Sequence, residues 1–67
     1  MEFEISEDFI KLDSLLKACN VVSSGGEAKI LIREGEFSVN GETETRRGRK
    51  IYRGDTVSGC GSEIKVV

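Results

Sequence analysis

The stretch RRGRKIYR places five cations, Arg46, Arg47, Arg49, Lys50 and Arg53, within eight residues of a chain whose formal net charge is -2. No acid interrupts the sequence between Glu44 and Asp55, so positive potential gathers at one edge of an otherwise acidic molecule. Four of the five are arginine, whose planar fork takes a phosphate through two parallel hydrogen bonds and stacks on an exposed base. That residue choice suits nucleic acid better than a generic solvated loop, although charge alone fits both. Tyr52 adds a ring beside the run. With only four aromatic residues to fill a core, packing at the start of a strand is its expected role, and base stacking is the alternative.

A second candidate lies in SSGGEAKILIREG. Ser24 and Glu27 have the S-x-x-E spacing of a capping box, which predicts a helix that starts at Gly25, ends before Gly35 and turns Ala28, Leu31 and Ile32 inward. Glycine in a helix costs up to about 1 kcal/mol relative to alanine, so Gly25 and Gly26 call for a reason. One is that their missing side chains admit a phosphate to the free N–H groups of a helix N-terminus. The other is a tight turn between two helices. Gly25, Lys29 and Arg33 are spaced i, i+4, i+8 and form one stripe beside the core stripe.

Catalytic chemistry finds little support. The chain has no histidine to act as a base near neutral pH, and its serines stand beside no recognisable partner. Glu42 and Glu44, two apart on an expected hairpin strand, should share a solvent face. Cys19 and Cys60 lie too far apart for paired zinc-ligand spacing, so neither a metal nor a cofactor is expected. Cys19 fits a helical apolar stripe and Cys60 a GCG turn, which favours two free thiols over a disulfide.

The elements that must position these residues can be read from periodicity. Phe9, Leu12, Leu15, Leu16 and Cys19 follow the spacing of one helical face, with Asp8 available as a cap and the helix ending near Asn20. After Gly35 the period changes to two, with Phe37 and Val39 inward, and Asn40-Gly41 signals a hairpin. Gly54-Asp55 reads as a turn into a strand carrying Val57. EIKVV reads as a last strand, and EFEI at the start as an edge strand. The expected fold is therefore α+β, with two N-terminal helices packed on a small, mostly antiparallel sheet.

Sixty-seven residues make a single domain, 1–67, that buries only about 60% of its unfolded surface. No apolar run approaches the roughly 20 residues of a membrane span, and the acidic start MEFEISED is unlike a signal peptide. These features predict a cytoplasmic monomer with no membrane partner.

The run from Ile10 to Val57 resembles the S4 RNA-binding domain. The resemblance rests on Leu12-Asp13 opening a leucine-rich helix, Ser24 before a second helix with Ala28 and Lys29, then Gly35, Val39-Asn40-Gly41 and a late Gly54-Asp55. SGGEAK followed by VNGETETRRGRK looks more narrowly like the small stand-alone bacterial S4 proteins of the YaaA and YbcJ type. The resemblance implies an S4-like (alpha-L) fold that presents basic side chains to structured RNA, ribosomal or transfer RNA, and hence links to ribosomal particles or translation. Carried over by position, the RNA-facing surface includes Lys11, Ser24, Lys29 and the basic residues after the hairpin. Many S4 domains follow the serine with an arginine; here Gly25 stands there, and the loop from Arg46 to Lys50 would supply the charge. The full candidate set is thus Lys11, Ser24, Gly25, Gly26, Lys29, Arg33, Arg46, Arg47, Arg49, Lys50 and Arg53. The alternative function is a protein-interaction adaptor whose basic loop docks on an acidic partner, for which the sequence offers no evident apolar anchor.

Overall fold

The computed structural model describes residues 1–67. Its elements follow in the order β1 (Glu2–Phe3), β2 (Ile10–Lys11), α1 (Leu12–Ala18), α2 (Gly25–Arg33), β3 (Phe37–Val39), β4 (Glu42–Thr43), β5 (Lys50–Ile51), β6 (Thr56–Gly59) and β7 (Ser62–Val66). Five strands form one sheet in the order β1-β7-β6-β3-β4, in which only the β1–β7 pair is parallel. β2 and β5 form a separate antiparallel ribbon. β1 is the edge strand expected of the EFEI start, β2 is a further short strand before the helices, which are thus not strictly N-terminal, and the sheet is mostly antiparallel, made mixed by the β1–β7 pair.

The first helix also begins later than its apolar spacing suggests. Ile10 and Lys11 are extended and pair with Ile51 and Lys50, so α1 starts at Leu12 and Asp8 caps nothing. The orphan N–H groups of its first turn are satisfied from far along the chain: Leu12 donates to the Arg49 carbonyl at 2.9 Å and Asp13 to that of Arg47 at 3.1 Å. Strand pairing has overridden a local helical pattern in the residues where both were available. The inward face persists, with Leu12, Leu15 and Leu16 fully buried and Cys19 packed against them.

Both helices close with the same paired bonds. In α1, Val21 N donates to Leu16 O and Asn20 N to Lys17 O, with Asn20 left-handed at φ 58°. In α2, Glu36 N donates to Leu31 O and Gly35 N to Ile32 O, with Gly35 at φ 81°. These are Schellman endings, which need a left-handed residue after the last turn and so favour Gly or Asn there. Asn40 and Gly41, at φ 53° and 86°, make the expected two-residue hairpin turn between β3 and β4.

Thirteen apolar side chains from α1, α2, the sheet, β5 and the connecting segments form one buried cluster, centred on Leu12, Leu15, Leu16, Ile32 and Phe37. Gly59 lies against it on β6, where a Cβ would overlap the Glu36 carbonyl oxygen and the Phe37 ring. The Asn40-Gly41 and Gly54-Asp55 turns are buckled together. Asn40 Nδ2 donates to Asp55 Oδ1 at 2.9 Å, Asn40 Oδ1 accepts from Thr56 N at 2.9 Å, and Asp55 Oδ2 accepts from Tyr52 N at 2.8 Å. Both cysteines are free; desolvation raises the thiol pKa of the half-buried Cys19.

Candidate nucleic-acid interface

The α2 wall of the site is built almost entirely from its own sequence. Ser24 Oγ accepts from Glu27 N at 3.1 Å, the capping bond that the S-x-x-E spacing predicts. The return bond differs by one residue, because the Glu27 carboxylate takes the N–H of Ser23, at 2.9 Å, rather than that of Ser24. The chain supplies no acceptor to the N–H groups of Gly25 and Gly26. Neither glycine has a left-handed φ, and a Cβ would meet nothing within 4 Å at Gly25 and only Ser24 Oγ at 3.9 Å at Gly26. The fold therefore does not demand glycine at either place. Lys29 and Arg33 lie exposed further along the same helix.

The second wall depends on Glu44, which the sequence reading places on a solvent face. Glu44 keeps the register of the β3–β4 hairpin, its N–H bonding to the Phe37 carbonyl at 3.0 Å, and so lies on the inner face with Phe37 and Val39, 7% exposed, while Glu42 beside the turn stays outside. Its carboxylate collects the basic loop. Oε2 accepts from Thr45 N, Arg46 N and Arg46 Nε at 3.0–3.1 Å, and Oε1 from Arg46 Nη2 at 3.2 Å and Arg49 Nη1 at 2.9 Å. Those bonds, led by the Arg46 side chain and backbone and joined by Arg49, outweigh burial and hold the carboxyl pKa down at about 2. The turn from Arg46 to Arg49 is closed by its own backbone bond at 3.2 Å, and its outer carbonyls are those that receive the α1 N–H groups. It is a fixed turn rather than a freely solvated loop.

The two walls meet. Lys29 and Arg33 of α2 line one depression together with Thr45 and Arg47, and Arg46, Gly48, Arg49 and Lys50 line a second beside it. Lys11 stands directly opposite Lys50 across the β2–β5 ribbon. The ion pairs of the chain are the two from Glu44 to Arg46 and Arg49, so Lys11, Lys29, Arg33, Arg47 and Lys50 carry charge free of a carboxylate partner.

This arrangement of cations on a helix–helix–hairpin frame has known counterparts. A family model described as the S4 domain matches residues 3–67. The chain belongs to the S4 domain family. Among its S4 relatives, "Probable ribosome maturation protein RlbA" of Bacillus subtilis (strain 168) is 47% identical over 53 residues, 79% of this chain and 75% of the relative. "Putative RNA-binding protein YbcJ" of Escherichia coli (strain K12) is 45% identical over 58 residues, 87% of this chain and 83% of that one. The solution structure of E. coli YbcJ, described as revealing an αL motif involved in RNA binding, matches with a TM-score of 0.76 at 40% identity, over 98% of this chain and 85% of that chain.

Against the S4 frame, two side chains stand apart from their expected roles. Arg53 is spent on the fold, its Nη2 donating to the Ile5 carbonyl at 2.7 Å and so tying the β1–β2 connection to the turn after β5. Tyr52 does not pack into the core but remains 48% exposed, its ring 6.1 Å from that of Phe9. The S4 motif residues Asn40 and Asp55 serve the buckle between turns, not the basic surface. Glu44 left one faint trace in the sequence, its spacing of two and five residues from the arginines it binds.

Proposed function

We propose that this chain is a non-enzymatic RNA-binding protein of the cytoplasm that grips structured RNA, ribosomal or transfer RNA, in ribosome assembly or translation. One observation carries the reading: Lys29 and Arg33 from a helix and Arg47 from a distant turn line the same depression. A charged side chain gains nothing from such like-charged company unless an anion joins it, and a phosphodiester backbone supplies anions at regular spacing. Arg46 and Arg49 add forked donors whose orientation Glu44 fixes in advance, which lowers the entropy lost on binding. At the α2 end, a phosphate would meet the Gly25 and Gly26 N–H groups beside Lys29. The names of the RlbA and YbcJ relatives point the same way.

Fluorescence anisotropy with ribosomal RNA fragments across a salt series tests the reading. With three to five phosphates engaged, log affinity should fall against log salt with a slope of roughly -2 to -4. Lys29→Glu and Arg47→Glu should each weaken binding and reduce the slope by about 1 or more. Neither side chain holds an ion pair, so thermal unfolding should not move with them. A flat salt response, or unchanged affinity in both variants, would overturn the proposal.

The adaptor reading draws on Ile30, 56% exposed beside Lys29. A single exposed apolar residue is ordinary on a protein surface. Cosedimentation with ribosomal particles separates the two: binding lost after nuclease treatment favours RNA, and binding retained favours a protein partner.

A further inference from the structure

The β2–β5 ribbon has two unlike faces. Ile51 is fully buried and Ile10, its cross-strand partner, packs against the core. Alternation along β5 sends Lys50 and Tyr52 to the other side. The antiparallel count that pairs Ile10 with Ile51 and Lys11 with Lys50 brings Phe9 opposite Tyr52. The side chains agree, with the two rings 6.1 Å apart at 52° and Lys50 Nζ 4.8 Å from the Phe9 centroid. The outward face is thus two lysines beside two aromatic rings.

The lysine pair is not what a ribbon needs for its own stability. Like charges directly opposite each other destabilise a strand pair, and no carboxylate bonds to Lys11 or Lys50. Tyr52 leaves half its surface in water. Both features are accounted for by a ligand that brings an anion to the lysines and a flat apolar face to the rings.

We infer that the outward face of the β2–β5 ribbon is a platform for an unpaired nucleotide of RNA, its base stacked on Tyr52 beside Phe9 and its phosphate held by Lys50 and Lys11. The inference rests on the RNA-binding reading above and extends it from backbone contacts to a site that requires a base free of its helix. Charge sets the direction in which the nucleotide lies. On one side Lys50 continues into the depression shared with Arg46, Gly48 and Arg49, where neighbouring phosphates are favoured. On the other, Glu7 and Asp8 line a hollow with Phe9 and Lys11, and their carboxylates turn the backbone away from that end. Every base has a π-face, so the platform selects unpaired nucleotides without selecting sequence.

Tyr52 is the only tyrosine and the chain has no tryptophan, so intrinsic tyrosine fluorescence reports this site almost alone. The probes are a blunt RNA duplex and the same duplex with a short adenosine overhang. The overhang RNA should bind more tightly and quench Tyr52 emission, and the blunt duplex should bind without quenching. Tyr52→Ala should lower affinity for the overhang RNA about tenfold and leave the blunt duplex unchanged, while Tyr52→Phe keeps the parental preference. Binding of the overhang RNA without quenching, or an equal effect of Tyr52→Ala on both RNAs, would overturn the platform while leaving the RNA-binding reading intact. Failure of the parent to bind either RNA would remove both.

Discussion

At the start of α2 every bond that shapes the basic surface is made within five residues, from Ser23 to Glu27, whereas the Arg46–Arg49 turn draws on Glu44 from the end of β4 and on the first N–H groups of α1. The first wall can form as soon as its helix does. The second exists only once the hairpin, α1 and the ribbon have come together. The two also differ in how they handle charge: α2 leaves Lys29 and Arg33 free, and the turn commits Arg46 and Arg49 to a buried carboxylate that aims them. One wall offers loose cations, and the other, held by Glu44 and tied to α1 through the Arg47 and Arg49 carbonyls, offers fixed ones.

Removing Glu44 should have the largest effect on this contrast. Glu44→Ala leaves Arg46 and Arg49 without their common acceptor and should cost about 3 kcal/mol, a fall in Tm on the order of 10 °C or more in a chain this size. RNA affinity should fall in the same variant although the net charge becomes less negative, because the two forks are no longer held. An affinity that instead rises with the charge would show that aim counts for little. The pH dependence follows from the direction of the Glu44 shift, from 4.5 down to about 2. Its contribution to stability is fully present above about pH 4.5 and is lost as the pH falls through about 2. Glu44→Gln should therefore flatten the acid limb of a stability profile measured over that window.

Ser24→Ala should cost less, about 1 kcal/mol, since it removes a single helix cap. Hydrogen exchange should place the loss in the first turn of α2, leaving amides of the Arg46–Arg49 turn as protected as before. The smallest effect on stability should come from Gly26→Ala. Nothing in the fold requires glycine there, so alanine should raise stability by a few tenths of a kcal/mol, up to about 1. The same change should weaken RNA binding if a phosphate approaches the N–H groups, and an unchanged affinity would confine the α2 contribution to Lys29 and Arg33.

The contrast between the walls also explains which features could be read in advance. Ser24, Glu27 and Gly35 marked both ends of α2 because caps act over three to five residues and are written in adjacent letters. Asn40-Gly41 marked its hairpin for the same reason. The start of α1 could not be read this way: Phe9 sits on the helical spacing, but Ile10 and Lys11 pair with a strand about forty positions away, and no local pattern encodes that partner. Glu44 was assigned to solvent because two acids two apart on a strand look like an outer face, whereas its register opposite Phe37 puts it on the inner one. Arg53 and Tyr52 exchanged their expected settings, one taken up by a backbone carbonyl and the other left half in water.

By itself, the sequence determined the α+β composition, the caps and turns that begin and end α2, the apolar residues of the core and the presence of a basic cluster on an acidic chain. These depend on local propensity, short-range hydrogen bonding and burial of apolar surface, all of which act residue by residue or over a single turn. Only the tertiary structure decided which cations face a common depression and which side of the β2–β5 ribbon meets the solvent. Those depend on contacts between residues remote in the chain, whose pairing is settled by the packing of the whole core rather than by any one segment.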